Sequence, residues 1–277
     1  MEQVVIRLQK VNFAYQQKPV LHEINLQIKS GEFVGIIGPN GVGKSTLLKV
    51  MAALLPVKDG AFFLFKKPIK DWKRKAIARQ IGYVPQSVDL TFPFTVRQVI
   101  EMGRYPYFTG LIGGDAQGEQ FVKKAIRLTD LNGLEDRMYT SLSGGEKQRV
   151  IIASVLAQNT PVLLLDEPTA SLDLKHQIAI LKLLKQLSMG EKKTVVLVTH
   201  EVNLAAQFCD RLYLLDQGKI VKAGPPAEVL QFNLIQQVYG VNVYIDINPF
   251  TNSIYILPYD LKGGQKEKTD DEQETKN

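Results

Sequence analysis

The sequence predicts an α/β protein in which parallel strands and helices surround a phosphate-binding loop, and three observations carry that prediction. The segment GPNGVGKST, Gly38 to Thr46, follows the apolar run Phe33 to Ile37 and leads into a helical stretch, Ser45 to Leu55. Strand, glycine-rich loop and helix in that order are the setting of a phosphate loop. Two further apolar runs, Val162 to Leu165 and Val195 to Val198, flank a helical pattern from about Leu174 to Leu187, which is βαβ spacing. Parallel core strands are covered on both faces and read as unbroken apolar runs, as these do.

The other elements follow in chain order. Short apolar runs at Val4 to Leu8, Ile24 to Ile28 and Phe33 to Ile37, separated by turns, predict an antiparallel β flank leading into the α/β core. After another short strand, Ile81 to Val84, the pattern changes. Thr95 with Gln98 three residues on makes a capping box, and Val96, Val99, Ile100 and Gly103 carry helical spacing. A helical section therefore begins near Thr95 and continues through Glu119 to Thr129 into the helix after Gly145; residues 88–158 are expected to form a helical subdomain inserted in the core. Asp216, Gln217 and Gly218 mark a hairpin turn within Arg211 to Gly224, and residues 241–258 predict a second hairpin turning at Asn248 to Asn252. Residues 1–262 are expected to form one domain. Residues 263–277 are polar without apolar periodicity, the composition of a disordered tail. There is no internal repeat.

Length alone, 277 residues, allows one large domain or a core with an insertion. The longest apolar runs are strand-sized, short of the roughly 20 residues that cross a bilayer, and the N-terminus MEQVVIRLQK has no secretory pattern. A soluble chain in the cytoplasm is the expectation. The single cysteine, Cys209, excludes an intrachain disulfide and a cysteine-built metal site. The net charge of +6 comes from dispersed basic residues mixed with acids, so it gives no nucleic-acid footprint and suits a solvated surface or an anionic membrane face.

The motifs state a chemistry. In the phosphate loop the glycines let the backbone wrap phosphates, Lys44 supplies a point charge to the β and γ groups, and Ser45 offers its hydroxyl to Mg2+. In LSGGEKQRV, Leu142 to Val150, Ser143, Gly144 and Gly145 open a helix and present a hydroxyl and bare N–H groups at its positive end, a geometry suited to a γ-phosphate. VLLLDEP, Val162 to Pro168, ends a strand in Asp166, placed to hold Mg2+ directly or through water, and Glu167 at the mouth of the site. Taken singly, Ser-Gly-Gly is also an ordinary turn and two acids an ordinary strand end. Their order behind a phosphate loop is what joins them into ATP hydrolysis.

With these three motifs in this order, the chain resembles the nucleotide-binding subunits of ABC transporters, from about Val4 to about Tyr259. The resemblance implies a P-loop NTPase core of the RecA-like kind with an antiparallel β subdomain and an inserted α-helical subdomain. It also implies a site: Gly38, Pro39, Asn40, Gly41, Val42, Gly43, Lys44, Ser45 and Thr46 cradle ATP. Tyr15 stacks on adenine, its alternative being a strand tyrosine packed on the core. Glu167 is the general base, Gln86 of YVPQ ligates the metal or its water and senses the γ-phosphate, and His200 at the end of VVLVTH hydrogen-bonds the γ-phosphate. Asp173 of ASLD touches the partner's phosphate loop or caps the next helix, and both readings stand together. Ser143, Gly144 and Gly145 reach the ATP of a second copy, so that a homodimer sandwiches two ATP molecules.

The resemblance further implies integral-membrane permease subunits as partners, reached through the section between Gln86 and LSGGE, a peripheral position on the cytoplasmic face, and indirectly an extracytoplasmic binding protein. TVRQVIEMGRYPYFTGLIG, DLNGLEDRMYTSLSGGE and NPFTNSIYILP are similar to the importers of iron chelates, haem and vitamin B12. ASLD departs from that group, many members of which have asparagine and histidine before Leu-Asp. Iron(III)-siderophore uptake is the reading adopted; zinc, manganese or molybdate import is the alternative. An ABC ATPase acting on DNA or ribosomes would carry a coiled coil, a zinc module or a second cassette, and this chain shows none. A purely regulatory ATP-binding subunit conflicts with the presence of Lys44, Asp166, Glu167 and His200.

Overall fold

The first two strands, β1 (Val4–Tyr15) and β2 (Lys18–Lys29), pair antiparallel and are longer than their apolar runs suggest. Register shifts on both sides of Lys10 (φ 47°) interrupt the alternation that sequence reading depends on, while the ladder continues beyond them. The fold is a computed structural model describing residues 3–88, 90, 92–108, 115 and 117–260. The expected tail, 263–277, and residues 109–113 of the segment TVRQVIEMGRYPYFTGLIG lie outside the described residues.

Strand β3 (Phe33–Ile37) leads through the phosphate loop into α1 (Lys44–Met51). This helix stops short of the expected Leu55, because Ala53 turns to φ 54° before Pro56. Next come β4 (Asp59–Leu64), β5 (Lys67–Pro68), α2 (Arg74–Ala78) and β6 (Ile81–Val84). Strand β4, which no apolar alternation in the sequence marks, pairs with β1 in the antiparallel sheet of order β2-β1-β4-β5.

Between β6 and β7 the described residues form helices: α3 (Val96–Met102), α4 (Gly118–Leu128) and α5 (Gly144–Ala157), with short 3-10 turns. Helix α3 begins at Thr95 with both hydrogen bonds of the expected capping box. Then follow β7 (Val162–Asp166), α6 (Leu174–Glu191), β8 (Thr194–Val198), α7 (Val202–Phe208), the hairpin β9 (Arg211–Asp216) and β10 (Lys219–Gly224), helices α8 (Pro226–Val229) and α9 (Phe232–Tyr239), and the hairpin β11 (Asn242–Ile247) and β12 (Ile254–Tyr259).

The central sheet has the order β10-β9-β3-β8-β7-β6, parallel except for β10. Side-chain alternation along its strands divides the core. Val34, Ile36, Val162, Leu164, Val196 and Val198 face the antiparallel sheet and bury α1 in between, through Leu47, Leu48, Val50 and Met51. Phe33, Ile37, Leu163, Leu165, Val195 and Leu197 face the other way, onto α5, α6 and α7. Among the described residues no helix is long and apolar enough to cross a membrane.

This topology sets the site. Val84 pairs with Leu165, Leu165 with Leu197, and Ile36 with Val198, so β6, β7, β8 and β3 end level with one another. Gln86, Asp166, His200 and Gly38 are at or within two residues of those ends. Ligands of α/β sheets bind in the crevice outside such strand ends.

Candidate functional site

The crevice is a cleft of about 570 Å³ lined by Tyr15, Val20, Asn40, Gly41, Gly43, Lys44, Ser45, Thr46, Gln86, Glu167 and His200. Its floor is the phosphate loop, which is held by its glycines and by neighbours. Gly38 (φ 147°) packs so closely on β9 that a Cβ there would lie 2.0 Å from the Leu215 carbonyl oxygen. Gly43 (φ 105°) turns the chain into α1. The β9–β10 turn braces the loop from outside, Gly218 donating to the Val42 carbonyl at 3.1 Å. That brace was not foreseen, since sequence reads this turn only as a hairpin.

Lys44 is 6% exposed, and its ammonium donates to the carbonyls of Gly38 and Pro39, both at 2.7 Å. Burial lowers its pKa, and the charges of Glu167 and Asp166 act against that. Ser45 donates its hydroxyl proton to Asp166 Oδ1 at 2.9 Å. Asp166 is 2% exposed; burial raises its pKa, the Ser45 hydrogen bond lowers it, and the neighbouring Glu167 charge raises it further. Beside it on β6, Tyr83 keeps a buried hydroxyl with no well-formed hydrogen bond, and burial together with the Asp166 charge pushes its phenol up. No motif in the sequence marks this tyrosine.

At the mouth, Glu167 stands at φ 47°, its N–H bound to the Val198 carbonyl at 3.0 Å. Its Oε2 accepts from Gln86 Nε2 at 3.1 Å and lies 3.5 Å from His200 Nδ1. The other face of the imidazole, Nε2, is 3.3 Å from Glu201. A carboxylate with an amide donor and an imidazole beside it is a group poised to orient and deprotonate water. Tyr15, half exposed at the end of β1, packs edge-on against Phe13 (centroids 4.9 Å apart) and lines the cleft.

The donor set fits a nucleotide with Mg2+. Ser45 hydroxyl and Asp166 carboxylate are hard oxygen ligands within hydrogen-bonding distance of each other. Among the described residues no three or more His, Cys, Asp or Glu side chains are grouped to hold a metal ion.

Of the expected residues, Gly38, Pro39, Val42 and Asp166 adjoin the cleft without lining it, and four others, Ser143, Gly144, Gly145 and Asp173, have no contact with it. Ser143 caps α5, its hydroxyl and N–H engaged with Glu146. Gly144 has open space where a Cβ would stand, and Gly145 has only Leu172 and Ser171 beyond 3.4 Å. Asp173 caps α6, accepting from His176 N at 2.9 Å and contacting its ring.

Fold and cleft define the class, a phosphate-loop nucleotide hydrolase built on a six-stranded sheet. The sequence profile of the ABC transporter family matches residues 21–170, and the chain belongs to that family. It is 40% identical over 264 residues to the petrobactin import ATP-binding protein of Bacillus anthracis, covering 95% of this chain and 96% of that one. The hemin import ATP-binding protein of Streptomyces coelicolor is also 40% identical, over 87% of this chain and 85% of its own. Among solved structures, a metal-chelate type ABC transporter in an inward-facing conformation superimposes with a TM-score of 0.80 at 25% identity, covering 93% of this chain and 98% of that one. A dimeric bacterial ABC transporter cassette does so with 0.72 at 31% identity, over 80% and 98%.

Proposed function

We propose that the chain is the ATP-hydrolysing subunit of an importer that takes up an iron(III)-siderophore or a related haem or cobalamin chelate. The observation that carries the catalytic part is the meeting of Lys44, Ser45, Gln86, Asp166, Glu167 and His200, from four separate stretches of chain, at one cleft. The cargo class is supported by the relatives named for petrobactin and hemin import, each 40% identical.

In this reading Lys44 turns its ammonium from the loop carbonyls to the β- and γ-phosphates. Glu167 takes a proton from the attacking water at Oε2, while Gln86 and His200 fix that carboxylate and the γ-phosphate. Ser45 and Asp166 would hold Mg2+, which would supply charge neutralisation to the phosphates. Ser143 and Gly144, away from the cleft of their own chain, complete the site of a second copy, so the two copies close around two ATP molecules. Asp173 caps α6 with both oxygens against His176, and its exposed side chain is placed to approach the partner's loop as well. The dimeric cassette structure supports this arrangement.

Opening and closing of the pair is passed to permease subunits on the cytoplasmic face of the membrane, fed by an extracytoplasmic binding protein. Uptake of labelled ferric chelate in a strain lacking the gene, restored by the parent chain and not by Glu167→Gln, tests the function. A strain that loses zinc uptake and keeps iron uptake would overturn the cargo.

A further inference from the structure

The C-terminal hairpin is bound to the helix that follows His200 by one side chain. Asn203 Nδ2 donates to the Ile256 carbonyl at 3.0 Å, and its Oδ1 accepts from Ile256 N–H at 2.8 Å. Both backbone groups of Ile256 therefore point away from β11, although Ile256 stands opposite Ile245 in that hairpin. The asparagine amide takes the place of a third strand at the free edge of β12.

We propose that Asn203 is a positioning residue for His200, and that through it the β11–β12 hairpin forms part of the catalytic apparatus. Helix α7 is seven residues long, too short to be stable alone, so its first turn stands where tertiary contacts hold it. On the cleft side that turn is held by Thr199 Oγ1, which accepts from Glu201 N–H at 3.0 Å. On the opposite side it is held by the two bonds to Ile256. His200 lies between these anchors with Glu167 3.5 Å from one ring nitrogen and Glu201 3.3 Å from the other.

The hairpin is itself firmly seated. Val243 and Ile256 are 3% and 8% exposed and share one apolar core with Ala205, Ala206 and Phe208 of α7. Just before the hairpin, Tyr239 ends α9 with its hydroxyl buried beside the Gly38 backbone. The C-terminal segment thus meets the site at two places, the start of the phosphate loop and the helix behind His200.

The inference rests on the reading of His200 as a γ-phosphate ligand, and the test separates the two. The full chain is compared with Asn203→Ala, Asn203→Asp and His200→Ala in steady-state ATPase assays, and the ring resonances of His22, His176 and His200 are followed in histidine-labelled protein. Asn203→Ala should lower kcat roughly tenfold to a hundredfold with little change in KM for ATP, the size of loss expected from misplacing a group near the chemistry. It should shift the His200 resonances and leave those of His22 and His176. Asn203→Asp, which keeps the acceptor for Ile256 N–H, should fall in between, and serves should the alanine variant not fold. An unmoved His200 resonance, or an unchanged kcat where His200→Ala is impaired, would overturn the inference. An unimpaired His200→Ala would instead overturn the reading of His200.

Discussion

Ser45 and Asp166, 121 positions apart in the chain, share a hydrogen bond of 2.9 Å at the floor of the cleft. The pair exists because β3 and β7 lie on either side of β8 and end at the same level. A hydroxyl and a carboxylate brought together under a phosphate loop are two hard oxygen donors that would hold Mg2+, with phosphates and water as its other ligands.

Asp166 has a cost in stability. Its burial raises the carboxyl pKa, the Ser45 hydrogen bond opposing this and Glu167 adding to it. An acid whose folded-state pKa lies above its unfolded value contributes stability while protonated in the fold, and that contribution is lost as pH rises through the folded value. At neutral pH the ionised group is therefore unfavourable. Asp166→Asn should raise the Tm of the nucleotide-free protein at neutral pH, and the gap should close as pH falls toward the ordinary carboxylate value of about 4. The same variant should lose Mg2+-dependent ATP binding. Thermal melts across that pH range, with and without MgATP, measure both effects.

Glu167 is the group expected to take the proton. Glu167→Gln keeps the shape of the side chain and removes its basicity, so kcat should fall by about 10²- to 10⁴-fold while ATP affinity stays within severalfold. A purified variant that turned over ATP like the parent would remove Glu167 from this role. With saturating MgATP, the variant should accumulate as a dimer on size exclusion.

Gly144 separates folding from assembly. A Cβ at this position meets nothing within 4 Å and the residue opens α5, so Gly144→Ala should leave the melting temperature unchanged or slightly raised. The added methyl would stand where a second copy's γ-phosphate is expected to approach. ATP-induced dimerisation of Gly144→Ala in a Glu167→Gln background should weaken by about tenfold or more, on the scale of one disrupted charge-assisted contact. Unaltered dimerisation would argue against the two-copy sandwich.

The fold was most legible where burial is complete. Val162–Asp166 and Thr194–Val198 are buried along their whole length, and their unbroken apolar runs announced parallel strands; Phe33–Ile37, grouped with the antiparallel flank by its place after two short runs, is equally buried and lies parallel between β8 and β9. Thr95 and Gln98 announced the start of α3 by a local hydrogen-bond pair that needs no tertiary context. Strand β4 escaped because Asp59 and Gly60 begin it, and because Gly60 (φ 88°) fits there only by its approach to the Lys10 carbonyl, a contact set by the tertiary fold. Within the site, residues carried by short motifs could be named from sequence. Tyr83, the Gly218 brace and Asn203 could not, since each is defined by a partner distant in the chain.

Arg104 is a buried cation at the junction of two helices of the helical section. Arg104, 4% exposed, pairs through Nε with Asp115 at 2.6 Å and donates through Nη1 to the Ala157 carbonyl at 2.8 Å, with Tyr107 and Phe121 rings 4.0 and 4.6 Å from the guanidinium. It ties the end of α3 to the end of α5, and next to it Gly103 packs so closely that a Cβ would stand 1.9 Å from the Ser154 carbonyl oxygen. Arg104→Ala leaves Asp115 and the Ala157 carbonyl without their partner and should cost about 3–5 kcal/mol. Arg104→Lys keeps the charge but not the planar fork or the stacking, and should recover only part of that loss. Urea unfolding monitored by tryptophan fluorescence reports on Trp72, partly buried outside the helical section, so the local effect is better read from amide exchange of α3 and α5. Faster exchange there in Arg104→Ala, with β3 and β8 still protected, is the expected pattern; equal protection of parent and variant would show that the guanidinium does not hold the two helices together.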